Sequence, residues 1–208
     1  MSHANLSDIK RFHKLAKKLD IRLGLDTEGA QIRTKLKDKT PLILQKNELF
    51  TIHRNKGDKN ENDKLSLYPE EVLSELQCGD KIRLDFDGAS VEVIDKNENQ
   101  LTFKCDAPGN VGDNKGADCY RPLKLPDFTK KDLEALRVAS ELGIKEIFIS
   151  FCKSTNAINK AREIVKSSIV TSKIESRLSI NSLASICNKS DAILIDRGDL
   201  SREINILD

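Results

Sequence analysis

The sequence predicts a mixed α/β protein with an all-β segment inserted into it, and three observations predict that class. Two apolar runs, Ser168-Ile169-Val170 and Ala192-Ile193-Leu194-Ile195, flank the stretch from Arg177 to Cys187, where Leu178, Ile180, Leu183, Ala184, Ile186 and Cys187 recur at helical spacing. A strand, helix and strand in that order should place the two strands parallel and close to one another. The segment from residue 122 to 165 shows the same strand and helix rhythm. Residues 40–121 instead carry short strand-like runs broken by turn-forming residues.

In chain order, the first element is a helix over Asn5 to Leu19, with Phe12, Leu15, Ala16 and Leu19 as its apolar stripe. The lysines and arginines from Lys10 to Lys18 then form a solvated face rather than an interaction patch. A strand over Ile21 to Leu25 follows. In the middle segment, strands are expected at Leu49 to Arg54, Lys81 to Asp85, Ala89 to Ile94 and Gln100 to Cys105. The turns between them include Asn55-Lys56-Gly57-Asp58, Cys78-Gly79-Asp80 and Lys96-Asn97-Glu98-Asn99. Thr129 caps a helix running to Leu142, with Asp132 at its third position and Gly143 ending it. Ile147-Phe148-Ile149 is the next strand, and a helix follows from Asn156 to Val165.

Chemistry concentrates where the last two strands end. Thr171-Ser172-Lys173-Ile174-Glu175 closes the first, and Asp196-Arg197-Gly198-Asp199-Leu200 closes the second. Neighbouring strands lie about 4.8 Å apart, so Glu175 and Asp199 can converge at the carboxyl ends. Two hard carboxylates suit Mg²⁺, which favours a few such ligands plus substrate oxygens and water. Lys173 and Glu175 share a face if the strand continues through both. A cation and a metal-binding acid then face the same small anion, which points to chemistry on a phosphate or an enolate.

Composition narrows the class. The 208 residues hold 35 basic and 33 acidic side chains, a formal charge of +2, so no nucleic-acid footprint is expected. The five cysteines are odd in number and form no CxxC pair, which argues against a disulfide framework or a zinc site and for reduced thiols in a cytoplasmic protein. His3, His13 and His53 show no metal-ligand spacing. No apolar run approaches the roughly 20 residues that span a bilayer, so no membrane partner is expected, nor a signal peptide.

These residues also carry a family resemblance. Lys173-Ile174-Glu175 and Arg197-Gly198-Asp199-Leu200 resemble the KIE and ARGDL motifs of pyruvate kinases. Leu25-Asp26-Thr27-Glu28-Gly29-Ala30-Gln31-Ile32-Arg33-Thr34 resembles their LDTKGPEIRT segment, and Ser2-His3 the end of NFSHG. Lys115-Gly116 falls where the family has KGVNLPG, and Ile149-Ser150-Phe151 resembles its SF strand end. The resemblance implies a partial (β/α) barrel of the TIM type, residues 1–39 and 122–208, interrupted by a β-barrel lid domain over residues 40–121. Strands near residues 21–25, 146–150, 168–173 and 191–195 stand for the eight of a closed barrel. A half-barrel should self-associate or pair with the missing half.

The implied reaction is phosphoryl transfer between phosphoenolpyruvate and ADP, giving pyruvate and ATP, with Mg²⁺ (or Mn²⁺) and K⁺. Glu175 and Asp199 would hold the divalent ion, while Asp26 and Thr27, with Ser2, would hold K⁺. Lys173 would stabilise the transferring phosphoryl group and the enolate. His3, Arg33 and Lys115 would contact nucleotide phosphates, and the N–H of Gly198 the substrate phosphate. Several positions depart from the family. Glu28 replaces lysine, Ala30 proline, Lys153 arginine, and Asp196 the small residue before Arg-Gly-Asp. Asp196 is expected to repel the substrate anion, although an extra acid could instead join the metal. Two other readings compete: a metal-dependent aldolase or lyase acting on pyruvate enolate, and a degenerate, non-catalytic binding or regulatory module.

Overall fold

The computed structural model describes residues 1, 4–29, 31–54, 63–85 and 88–204. The chain divides into two units, one of residues 1–30 and 126–208, the other of residues 31–125. The first unit opens with α1 (Leu6–Lys18) and β1 (Gly24–Asp26). The second holds β2 (Ile32–Leu36), β3 (Leu42–Leu44), β4 (Leu49–His53), β5 (Leu65–Tyr68), α2 (Glu71–Glu75), β6 (Lys81–Leu84), β7 (Ala89–Lys96), β8 (Gln100–Ala107), β9 (Gly109–Val111) and β10 (Gly116–Cys119). The chain then returns to the first unit with α3 (Lys130–Leu142), β11 (Glu146–Ile149), α4 (Thr155–Ile164), β12 (Ile169–Ile174), α5 (Arg177–Asn181), α6 (Leu183–Lys189), β13 (Ala192–Ile195) and α7 (Arg197–Leu200).

In the first unit, β1, β11, β12 and β13 form a parallel sheet in that order. The alternation of βα segments dictates this, because a parallel neighbour can be reached only through a crossover. The register pairs Leu25 with Ile147, Ile147 with Val170, and Ile174 with Ile195. Leu25, Ile147, Ile149, Val170 and Ile174 pack with Leu136, Ala139, Ile158, Ala161 and Ile186 from the helices. Each large aliphatic side chain so buried contributes about 1.5–3 kcal/mol. Helix α3 has the expected cap: the Thr129 hydroxyl accepts the Asp132 N–H at 3.0 Å, and Gly143 takes φ 69 at the other end.

In the second unit, seven antiparallel strands run in the order β4-β8-β7-β6-β10-β2-β5, and β3 pairs with β9. The edge strands β4 and β5 approach one another, so the sheet curls nearly closed. Phe103, Leu101, Val93, Ile82 and Leu84 fill its interior, with Phe50 stacked on Phe103 at 5.3 Å. Asn97 makes the β7–β8 turn, its side-chain oxygen accepting the N–H of Asn99 at 2.9 Å and of Gln100 at 3.0 Å.

Several expectations need correction. The first strand begins at Gly24, not Ile21, because the chain is still folding back on α1. The Ile21 N–H bonds the Ala16 carbonyl, and Asp20 takes φ 53. The single helix expected over 177–187 is two, α5 and α6, meeting at Ser182. Strand β2 lies in the antiparallel sheet, so the chain passes between units ahead of residue 40. Five further strands (β2, β3, β5, β9 and β10) lie outside the expected set, because they are short, polar at alternate positions, or contain glycine. The turn expected at residues 55–58 lies outside the described residues.

Candidate active site

The carboxyl ends of all four parallel strands carry the residues singled out by sequence. Asp26 ends β1, Ser150 and Phe151 follow β11, Lys173 lies near the end of β12 with Glu175 just after it, and Asp196 to Asp199 follow β13. Because Ile174 and Ile195 are register partners, Glu175 and Asp196 are the next residues along adjacent strands. The Asp196 N–H donates to the Ile174 carbonyl at 3.2 Å, which extends that pairing.

Glu175 is 1% exposed and firmly held. One carboxylate oxygen accepts the Phe151 N–H at 2.7 Å, and the other lies 2.9 Å from Lys173 Nζ. Phe151 adopts φ 50 to present that N–H. Lys173 Nζ also donates to Ser150 Oγ at 3.2 Å and to Asp26 Oδ2 at 3.4 Å, and Ser150 Oγ donates to Asp26 Oδ1 at 2.9 Å. Burial pushes the Glu175 carboxyl upward, opposed by Lys173 and the Phe151 N–H and reinforced by Asp199. Burial alone would lower Lys173. The Glu175 hydrogen bond and charge, then the Asp26 charge, outweigh it and raise the ammonium above its ordinary value. Lys173 is therefore a fixed cation beside a carboxylate deprived of water.

Oxygen ligand atoms of Glu175, Asp196 and Asp199 lie within 4.8 Å of one another. Hard oxygen donors at that spacing fit a divalent cation, whose opposite ligands stand about 4 to 5 Å apart for Mg²⁺ or Ca²⁺ bond lengths. Asp199 also meets Arg202 at 3.0 Å. Asp196 Oδ1 accepts the N–H groups of Gly198 at 3.1 Å and of Asp199 at 3.3 Å, capping α7.

Asp26 and Thr27 are adjacent, and Thr27 Oγ1 accepts the Ser150 N–H at 3.0 Å. Ser2 and His3 lie outside the described residues, as does Ala30. Gly29 takes φ 72, and a Cβ there would stand 2.9 Å from the Ser150 carbonyl oxygen, so glycine is required. The loop is fixed by a residue that sequence reasoning read only as a helix cap. Fully buried Asp132 accepts the N–H groups of Glu28 at 2.6 Å, Gly29 at 3.1 Å and Thr129 at 3.2 Å. The capping box was visible in sequence; its reach across to residues 28 and 29 was not. Glu28, in place of the family's lysine, pairs with Lys131 at 3.8 Å. Burial lowers Lys153, with Asp127 opposing.

Arg33 and Lys115 belong to the second unit, where β2 and β10 bring them together. Arg33 is the register partner of Gly116, and Arg33 Nη1 donates to the Asn114 carbonyl at 3.1 Å. The Lys115 N–H donates to Thr34 Oγ1 at 2.9 Å, and its side chain is exposed.

Four parallel strand ends thus gather a buried acid, a fixed ammonium and two further acids in one place. The family model described as pyruvate kinase, barrel domain, matches residues 2–208. Pyruvate kinase of Buchnera aphidicola subsp. Schizaphis graminum is 28% identical over 218 aligned residues, covering 98% of this chain and 45% of that protein. Pyruvate kinase of Staphylococcus aureus (strain USA300) is 31% identical over 206 residues, covering 94% of this chain and 35% of that protein. The chain belongs to the pyruvate kinase family. It spans less than half the length of these relatives.

Proposed function

We propose that the centre at the strand ends serves phosphoryl transfer between phosphoenolpyruvate and ADP, the reaction its family relationship implies. The observation that carries this reading is the cluster of Lys173, Glu175 and Asp199 at the carboxyl ends of two adjacent parallel strands. In this reading the four parallel strands are part of a TIM-type (β/α) barrel, and the antiparallel unit is the inserted β-domain. Glu175 and Asp199 hold Mg²⁺ or Mn²⁺, which when bound supplies Lewis-acid stabilisation of substrate oxygens. Lys173 stays charged and stabilises negative charge developing on the phosphoryl group and the enolate oxygen. Asp26 and Thr27, with Ser2, form the K⁺ site, and His3, Arg33 and Lys115 meet nucleotide phosphates on the strength of their motifs. The cysteine pattern keeps a cytoplasmic setting in the proposal.

The test is pyruvate formation from phosphoenolpyruvate and ADP by the full chain, followed by Mg²⁺-dependent phosphoenolpyruvate binding. Activity lost at least about a hundredfold in Lys173→Met, at about 1.4 kcal/mol per tenfold, supports the reading. Absence of both turnover and Mg²⁺-dependent binding at millimolar substrate rejects it. One observation favours a second reading, a non-catalytic module. The Gly198 N–H assigned to the substrate phosphate is already donated to Asp196 Oδ1. Such a module would bind the cation but not phosphoenolpyruvate.

A further inference from the structure

Building on the assignment of Glu175 and Asp199 as the cation pair, we propose that Asp196 is a third carboxylate ligand of the divalent cation. The strand register places it there, since Glu175 and Asp196 continue the Ile174–Ile195 pair. Residues paired across parallel strands point to the same face, so both carboxylates look toward the same point beyond the sheet. Asp199 reaches that point from the next turn of chain, and the three acids' ligand atoms fall within 4.8 Å of one another.

The hydrogen bonding divides Asp196 into two halves with different tasks. Oδ1 accepts two backbone N–H groups, which fix the orientation of the carboxylate at the start of α7. Oδ2 has no hydrogen-bond partner among the described residues, which leaves it available to a cation. Three like charges held this close repel one another unless a cation sits between them. Lys173 contacts Glu175, and Arg202 contacts Asp199. Among the described residues no cationic side chain pairs with Asp196. A divalent ion satisfies all three acids at once, and cation affinity rises with the number of charged ligands. The departure from the family's small residue then strengthens ion binding.

The proposal is tested by titrating the full chain with MgCl₂ and MnCl₂ by calorimetry, with free Mn²⁺ counted by electron paramagnetic resonance. Asp196→Asn keeps an oxygen for the Gly198 and Asp199 N–H groups and removes only the charge. Its metal-free melting temperature should therefore match that of the parent. Asp196→Ala removes both, so a drop confined to it reports the cap. The expected result is Mn²⁺ affinity weakened at least about tenfold in Asp196→Asn. Affinity unchanged or tighter in that variant overturns the proposal. If Glu175→Gln abolishes binding while Asp196→Asn leaves it intact, the two-acid centre stands and the third ligand falls. No binding by the parent chain at millimolar metal removes both.

Discussion

Asp132 shows how one side chain can organise a site it does not enter. Its two oxygens satisfy three buried N–H groups, one at the cap of its own helix and two in the loop following β1. Each orphaned buried donor costs about 1–3 kcal/mol. We expect Asp132→Ala to lower stability by about 3 kcal/mol or more in urea unfolding. Asp132→Asn, which retains one acceptor, should lose less. Equal, small losses in both would mean the loop holds itself. Because Asp26 and Thr27 lie just before Glu28, the alanine variant should also loosen the segment assigned to K⁺. At this scale the sequence was informative about residue type and poor about reach. Lys173, Glu175 and Asp199 could be placed because each sits at a fixed distance from an apolar run. Asp132 read as a cap because a capping box is local. Its bonds to Glu28 and Gly29 cross about a hundred residues of chain, and no local pattern encodes them.

At the scale of elements, short ties decide how turns join strands. In the antiparallel unit, Arg121 donates to both oxygens of Asp80, at 2.8 Å and 2.7 Å, and to the Glu75 carbonyl at 2.9 Å. This links the end of α2, the turn before β6 and the segment after β10. The Arg121 hydrogen bond holds the Asp80 carboxyl below its ordinary value of 3.8, despite burial. A carboxyl depressed in the folded state binds fewer protons there than in the unfolded chain. Its stabilisation is therefore present above the unfolded value and is lost as pH falls from about 4 through the folded value. Acid unfolding followed by circular dichroism should show a shallower loss below pH 4 in Asp80→Asn than in the parent, from a lower starting stability at pH 7. Parallel acid limbs would show that the pair is electrostatically idle. The βα elements were legible because helical and strand periods alternate cleanly in the sequence. The antiparallel strands were legible only where apolar residues alternate for several positions, as in β7 and β8. Ser182 splits α5 from α6 without glycine or proline, so no breaker marked it.

At the scale of the whole molecule, the parallel sheet leaves β1 and β13 at its edges. Strand β13 is poorly covered for a strand of a βα unit: Leu194 is 36% exposed and Ile195 62%. Parallel strands are ordinarily buried on both faces, and an exposed apolar edge offers unpaired N–H and C=O groups to another chain. Four strands of this kind were readable from sequence because every one ends in a residue of the family's motifs. What covers them was not readable, because the coverage of a sheet edge is a long-range property that no local sequence pattern encodes. We therefore expect the full chain to self-associate in sedimentation experiments, with the weight-average mass rising across the micromolar range. Ile195→Lys places a charge on the exposed edge without touching Asp196 or Glu175, and should shift the distribution toward monomer. A sharp monomer of the parent chain throughout that range would defeat the expectation. So would association that the lysine leaves untouched, because it would locate the contact away from β13. Should the lysine variant be monomeric and still bind Mn²⁺ with parental affinity, the cation centre would be complete within one chain. The four strand ends would then build it by themselves.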